Sequence, residues 1–191
     1  MDIRKIEFEP GYMVLTDENG QKTKVDISSV ANVLAEGAPV TPVQAELTTA
    51  LTGADNDLVF TAVTAGTLGN YITIAYIDPG EINQELSVVV TGLNIVFNLA
   101  TGGAGAITST ADDLKAALVA SEAASALVTA ADAGGDDGSG VVTAMAATAL
   151  EGGVDGVPGA KGQVMFDDSA LYVSVDESTV AVSNWETISY D

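Results

Sequence analysis

The sequence predicts an α+β protein that is mainly antiparallel β. Three observations lead to this prediction: apolar and polar residues alternate over short segments, turn-forming Gly, Asn, Asp and Pro separate them, and helical spacing occurs in one region only. We expect an N-terminal β-meander and connector in residues 1–40. A central sheet domain with one or two short helices follows in residues 41–153, and a small C-terminal β-module in residues 154–191.

The first strands are predicted within residues 3–27. Ile6 and Phe8 alternate with charged residues, and the pair Asn19-Gly20, a strong hairpin signal, separates two further strands. Residues 28–54 contain Pro and Gly among Ala and Thr, and Val30, Val33 and Leu34 could form a helical turn or two. We therefore interpret residues 28–54 as a connector with weak local structure.

The central domain is expected to contain both strands and helices. Strand candidates are residues 57–64, 71–77, 85–91 and 94–99, with a loop over 65–70. Residues 141–150 are a further strand candidate, but their Ala content leaves helix as the alternative. Ser109 or Thr110 is a candidate helix N-cap, and Ser121 is a candidate cap for a second helix. Leu114, Ala117 and Leu118 then share one face, so helices are predicted near residues 110–128.

The C-terminal part begins with a glycine-rich hinge over residues 152–159. Three short strands are predicted after it, in residues 162–166, 171–175 and 180–183. Trp185 is the single tryptophan of the chain, and its place near the end is typical of a packing anchor.

The composition removes many functional classes. The chain has no His and no Cys, so it lacks the imidazole and thiolate groups of most acid–base, nucleophilic and soft-metal sites. Its net charge of −21 argues against nucleic acid as a partner, because binding there depends on Lys and Arg neutralising phosphates. The N-terminus lacks a signal-peptide core and no long apolar stretch occurs, so we expect no membrane partner and synthesis in a cytosol.

The remaining candidate sites are acidic or glycine-rich loops. Asp132, Asp136 and Asp137 could be calcium ligands, but they do not follow the EF-hand spacing, and a solvated turn is the alternative. The same alternatives apply to a second group, which consists of Asp167, Asp168 and Asp176. Residues 102–105 lack the spacing of a dinucleotide loop and the Lys of a phosphate loop. We therefore assign no catalytic, cofactor-binding or metal residues, and we expect no cofactor and no enzyme activity.

Framework residues of the chain resemble tailed-bacteriophage virion proteins. The central stretch that resembles a virion domain includes Asn56-Asp57-Leu58, Leu68-Gly69-Asn70, Tyr76-Ile77-Asp78-Pro79-Gly80, Leu86-Ser87-Val88-Val89-Val90, Ala106-Ile107-Thr108-Ser109-Thr110, Gly138-Ser139-Gly140-Val141-Val142 and Ala149-Leu150-Glu151-Gly152-Gly153. Lys5-Ile6-Glu7-Phe8 resembles the start of some capsid decoration proteins. Gly159-Ala160-Lys161-Gly162 with Leu171-Tyr172-Val173 and Trp185 is similar to terminal β-modules of capsid-associated and fibre proteins.

The resemblance implies a structural virion protein, and a capsid decoration (cement) protein is our first hypothesis. Such a protein would bind the major capsid protein on the outside of the lattice, as a homo-oligomer that we expect to be a trimer. Four of the six basic residues lie within residues 1–24, which suggests that the N-terminal module faces the capsid. A head or tail fibre or another tail component that contacts the host surface is the alternative, and a carbohydrate-binding or hydrolytic module is a third hypothesis.

Overall fold

A computed structural model of the chain describes residues 3–9, 12–17, 19–26, 34–36, 38–159, 163–166, 171–175, 179 and 181–188. Contacts between residues group the chain into two compact units. The terminal unit is Met1–Pro39, Pro158–Ser178 and Asn184–Asp191, and the central unit is Val40–Val157 with Thr179–Ser183. This grouping differs from the three-part division expected from the sequence, because segments from both ends of the chain share the terminal unit.

Strands dominate the described residues. In chain order the elements are β1 (Ile3–Glu9), β2 (Tyr12–Asp17), β3 (Lys22–Asp26), β4 (Leu34–Glu36), β5 (Glu46–Thr48), β6 (Leu58–Ala62), a 3₁₀ helix (Thr67–Tyr71), β7 (Thr73–Ile77), β8 (Ser87–Thr91), β9 (Asn94–Asn98), α1 (Ala111–Ala120), α2 (Glu122–Ser125), β10 (Val128–Asp132), β11 (Met145–Ala149), β12 (Val164–Phe166), β13 (Leu171–Ser174) and β14 (Trp185–Ile188). The predicted α+β class with mainly antiparallel pairing is confirmed.

The described residues of the terminal unit form two sheets. In the first, β1, β2 and β3 pair antiparallel in sequence order, as the hairpin signal at Asn19-Gly20 predicts. The second has the order β14-β13-β12-β4, and β4 runs parallel to β12 with Leu34 opposite Val164. The prediction of a connector was therefore wrong for residues 34–36. Three residues are too short to show a period, and their partner strand lies far along the chain.

The last strand of the chain also differs from its prediction. Residues 181–183 lie outside any strand, and the Thr179 amide donates to the Val182 carbonyl in a turn. The strand is β14 instead, which pairs antiparallel with β13. The indole ring of Trp185 lies against Gly159, within the same unit. Alternation alone does not distinguish a turn such as residues 181–183 from a short strand.

The central unit contains the other two sheets. One has the order β10-β6-β5 and is antiparallel, and the other has the order β11-β7-β9-β8 with β7 parallel to β9. Of these strands, β5 falls in the predicted connector and β10 begins where helix was expected to end. Residues 67–71 of the predicted loop form a 3₁₀ helix, and the strand predicted over 141–150 is confined to β11. The alanines of β10 and β11 carry little information about either period.

Both helices begin at the residues expected from the sequence. The Thr110 hydroxyl accepts from the Asp113 amide, and the Asp113 carboxylate accepts from the Thr110 amide, which forms a capping box for α1. The Ser121 hydroxyl accepts from the Ala124 amide at the start of α2. Among the described residues, no helix has both the length and the hydropathy that crossing a membrane requires.

One core holds the central unit together, and both of its sheets and α1 contribute to it. Phe60, Tyr76 and Phe97 lie at its centre, each with at most 1% of its surface exposed. The Tyr76 and Phe97 ring centroids are 5.5 Å apart with nearly perpendicular planes, and that of Phe60 is 6.2 Å from that of Phe97. The edge-to-face contact between Tyr76 and Phe97 adds to the stability gained from burial alone.

The first prediction tests this core. Phe97→Ala should lower the free energy of unfolding by about 3–5 kcal/mol, because it leaves a cavity among aromatic rings that cannot fully collapse. Val119→Ala is the control, since Val119 is 75% exposed on α1. Chemical denaturation measures both variants, and a loss for Phe97→Ala that is no larger than the loss for Val119→Ala would contradict the prediction.

The second prediction concerns Tyr76. Its hydroxyl is buried without a hydrogen-bond partner among the described residues, and burial, with a further contribution from the charge of Asp57, raises the pKa of Tyr76 above its ordinary value of 10.0. Tyr76→Phe should therefore raise stability by about 1 kcal/mol at neutral pH. Above about pH 10 the unfolded wild-type chain ionises at this residue before the folded one does, so wild-type stability falls there and the advantage of the variant should grow.

Unfolding curves at about pH 7 and about pH 11 check this expectation. An advantage of Tyr76→Phe that stays constant or shrinks between the two pH values would show that the Tyr76 hydroxyl is not held in its neutral form by the fold.

Candidate functional site

The first candidate calcium loop spans residues 132–140, and we call it the acidic loop. It follows β10 and returns to the start of α1. The Gly138 carbonyl accepts from the Asp112 amide at 2.9 Å, and the Gly140 carbonyl accepts from the Ala111 amide at 3.1 Å. These bonds satisfy amides of the first helical turn that have no partner within the helix. The loop therefore caps α1 with its backbone carbonyls.

Asp136 links the acidic loop to the start of β6. One of its carboxylate oxygens accepts from the Asp57 amide at 2.8 Å. The Asp57 carboxylate in turn accepts from the Thr49 hydroxyl at 3.0 Å and the Leu51 amide at 2.7 Å. The buried Thr49 hydroxyl accepts from the Leu58 amide at 2.8 Å. Two carboxylates and one hydroxyl thus connect three chain segments by bonds to backbone amides.

Asp137 has a local partner of its own. The hydroxyl and backbone amide of Ser139 donate to its carboxylate, the amide at 3.0 Å, and these bonds lower the pKa of Asp137 below its ordinary value. A side chain that accepts from the amide two residues ahead forms an Asx turn. Asp137 therefore stabilises the bend of the loop.

Asp132 pairs with the single basic residue of the central unit, which is Lys115. The Lys115 ammonium lies 2.6 Å from both oxygens of Asp132 and 2.9 Å from an oxygen of Asp112. Hydrogen bonds to Asp112 and Asp132 raise the pKa of Lys115. This group joins α1 to β10. This group was not among the sites expected from the sequence. The signal that could have revealed it is that Lys115 is a single basic residue among fourteen acidic ones in this unit.

The three predicted calcium candidates thus have three different partners. Among the described residues, no group of three or more acidic side chains is placed to hold a metal ion. The second candidate group, with Asp167, Asp168 and Asp176, lies outside the described residues. Residues 102–105 form a tight turn in which the Gly105 amide donates to the Gly102 carbonyl at 2.9 Å.

Two shallow depressions on the central unit are lined without titratable side chains. The first lies between the 3₁₀ helix and α2, and Leu68, Ile72, Leu93 and Leu127 line much of it. The second lies where β8 faces the end of α1, and its lining residues are Leu86, Ser87, Val88, Ala117, Ala120 and Ser121. Neither depression offers a group that can transfer a proton near neutral pH. Both are suited to apolar contacts.

The third prediction tests how tightly the acidic loop packs. A Cβ atom added to Gly138 would collide with a carboxylate oxygen of Asp112 and lie 2.7 Å from one of Asp132, and Gly138 has a φ of +82°. Gly138→Ala should therefore cost about 2 kcal/mol or more. Gly152→Ala is the matched control, because Gly152 has a nearly identical φ of +81° but open space around it, and it should cost only about 1 kcal/mol. Equal losses in thermal unfolding would contradict the prediction.

The fourth prediction concerns calcium. Because Asp132, Asp136 and Asp137 already bind Lys115 or backbone amides, millimolar Ca²⁺ and a chelator should give the same melting temperature. Asp137→Asn is a useful second variant. A rise of the melting temperature with Ca²⁺ that Asp137→Asn abolishes would instead establish a metal site in the acidic loop.

Comparison with known protein families, curated proteins and solved structures finds no match to this chain. Its function is therefore inferred from its own sequence, its charge, its surfaces and the partners of its polar side chains.

Proposed function

We propose that the protein is a structural component of a tailed-phage virion, and specifically a capsid decoration protein that binds the outer face of the major capsid lattice. The resemblance of its framework residues to virion proteins suggests this role. The structural observation that supports this role is the set of hydrogen-bond and ion-pair partners of the carboxylates in the central unit. A protein of this kind works by fitting against neighbours, so it needs rigid surfaces and no reactive centre.

The acidic side chains of the central unit support this role. Asp57 and Asp136 bind backbone amides, and Asp112 and Asp132 bind Lys115. Catalytic carboxylate pairs instead face a common cleft with room for substrate. The two depressions described above contain no carboxylate. This arrangement favours a binding or structural protein over a hydrolase.

The distribution of charge along the chain favours its N-terminal sheet for contact with the capsid. The central unit has one basic and fourteen acidic residues, whereas four of the six basic residues of the chain lie within residues 1–24. Lys22 and Lys24 are exposed on β3. Free copies repel one another through their net charge of −21, which keeps them apart before assembly. We propose that the three-stranded sheet β1-β2-β3 faces the capsid.

The oligomer expected from the sequence is a trimer, and this remains a prediction. A fibre or another tail component is the alternative role, and it differs in the number of copies per particle. Hundreds of copies per particle would support a decoration protein, whereas a few would support a fibre.

The fifth prediction tests the role with particles that lack the protein. Wild-type protein added to such particles should bind in hundreds of copies and raise their resistance to heat, because each copy bridges neighbouring capsid subunits. The full-length double variant Lys22→Gln, Lys24→Gln should bind about tenfold more weakly, since it loses the basic charge proposed to face the capsid. Quantitative mass spectrometry of purified particles measures the copies bound.

A matched control is the double variant Ala146→Glu, Ala147→Glu. It makes the same change in net charge at exposed residues of β11. Equal loss of binding by both variants would contradict the proposed capsid-facing sheet. Absence of the wild-type protein from the particles would overturn the proposed function itself.

A further inference from the structure

The outer edge of β8 has no neighbouring strand among the described residues. This strand is last in the order β11-β7-β9-β8 and pairs only with β9. A two-residue loop, Gly92-Leu93, joins the two strands, and Gly92 adopts the positive φ of 62° that such tight hairpins need. Thr91 and Asn94 therefore form the hydrogen-bonded pair that closes the hairpin.

The closing pair determines which backbone groups face outward. Antiparallel pairing alternates, so Ser87, Val89 and Thr91 bond to β9, while the amide and carbonyl groups of Val88 and Val90 point to the open edge. No hydrogen bond within the described residues reaches these outward groups. Two donors and two acceptors are thus aligned along a straight strand and available for pairing.

Three common protections of an edge strand, namely a bulge, a charged residue and a proline, are missing from β8. Its register with β9 is continuous, and its residues, Ser-Val-Val-Val-Thr, include no charge and no Pro. Two other edges in this unit are protected. The register of β11 shifts between Met145 and Thr148, and Glu46 of β5 exchanges two backbone hydrogen bonds with Glu151, each of 2.8 Å. An unprotected edge in a chain that protects others indicates a surface for pairing.

The charge pattern points to the occupant of this edge. Residues 86–111 contain no charged residue, in a chain with a net charge of −21. A second copy of the chain is repelled over most of its surface, but no charge within the strand opposes its approach at β8. Val89 is 50% exposed on the face away from the core, so pairing here would also cover apolar surface.

The strand is self-complementary in its register. If a second β8 is placed antiparallel with Val89 opposite Val89, then Val88 of one copy lies opposite Val90 of the other. Both of these residues point their backbone groups outward, so each Val88–Val90 pair can exchange two hydrogen bonds. Residues opposite each other share a face, so the helix-covered faces of both sheets lie on the same side. Valines paired across strands are favourable because β-branched side chains pack well on a pleated sheet.

The depression beside β8 leaves space for this arrangement. Leu86, which precedes β8, and Val88 of β8 line one side of it, and Ala117 and Ala120 of α1 line the other. In the antiparallel register, Val90 of the second copy lies opposite Val88 on this same face. The small alanine side chains leave room for it next to the edge.

We propose that two copies of this chain associate through β8 about a two-fold axis at Val89, so that their β11-β7-β9-β8 sheets form one continuous sheet. This contact does not depend on the proposed role in a virion. It also differs in symmetry from the trimer predicted from the sequence. Because the like charges lie outside the contact, raising the salt concentration should strengthen the association by screening them.

The test uses the full chain and charges placed on the proposed axis. In Val89→Lys and in Val89→Glu, each homodimer brings two like charges face to face, so both variants should dimerise about tenfold or more weakly than wild type. An equimolar mixture of the two variants should recover a heterodimer, because opposite charges then meet on the axis. Sedimentation equilibrium at low and high salt measures wild type, both variants and their mixture.

Val63→Lys is the matched control, because Val63 is 46% exposed and lies outside β8. It should associate like wild type, and melting curves check that all variants are folded. A wild-type chain that stays monomeric at every concentration and salt tested overturns the proposal. Association that Val63→Lys weakens as much as Val89→Lys, or that neither Val89 variant changes, overturns it as well.

Hydrogen exchange gives an independent measure on the unmodified chain. Protection of the Val88 and Val90 amides should increase with protein concentration, because pairing gives them acceptors. The Val89 amide should be protected at every concentration, since it already bonds within the hairpin. Concentration-independent exchange at Val88 and Val90 in a sample that sediments as a dimer would place the contact elsewhere and overturn the proposal.

Discussion

An excess of negative charge constrains the polar contacts of the central unit. It has fourteen acidic residues and one basic one, so most carboxylates must find partners other than a cation. Several bind backbone amides, as Asp57, Asp113 and Asp136 do. Hydrogen bonds to backbone amides satisfy a carboxylate without a positive side chain. Acidic residues thereby cap a helix and stabilise loops in this fold.

The single Lys of this unit has a position that follows from the same constraint. Lys115 lies between Asp112 of its own helix and Asp132 at the end of β10, and it connects the two elements. An exposed ion pair contributes little by itself. Here the cation also reduces repulsion between two carboxylates that both lie close to Gly138. The acidic loop, α1 and β10 therefore depend on one another.

The functional proposals rest on how charged residues are distributed along the chain. The two depressions described above are lined by uncharged side chains, and Asp57, Asp132 and Asp136 bind within the fold. Basic residues near the N-terminus and the uncharged edge of β8 then differ most from the acidic remainder. A strongly charged protein can limit association to such places, because repulsion disfavours contact elsewhere.

Local signals in the sequence were sufficient for a large part of the fold. The α+β class, the hairpin at Asn19-Gly20 and the cap at Thr110 follow from alternation, turn residues and helix capping, which act over a few neighbouring residues. The absence of His and Cys, together with the net charge, likewise limits the chemistry open to the chain, because composition does not depend on how the chain folds. The resemblance to virion proteins also came from the sequence, and the role it implies stays a proposal.

Only the tertiary structure decided the remaining features. The pairing of β4 with β12 and the place of β5 depend on partners far along the chain, and three-residue strands are too short to show a period. The sequence placed Asp132, Asp136 and Asp137 close together, but their separate partners became visible only when Lys115, Asp57 and the loop backbone were placed in space. The open edge of β8 was likewise visible only in the tertiary structure. Whether a strand lies inside a sheet or at its margin depends on all the other strands, and no local pattern in the sequence records it.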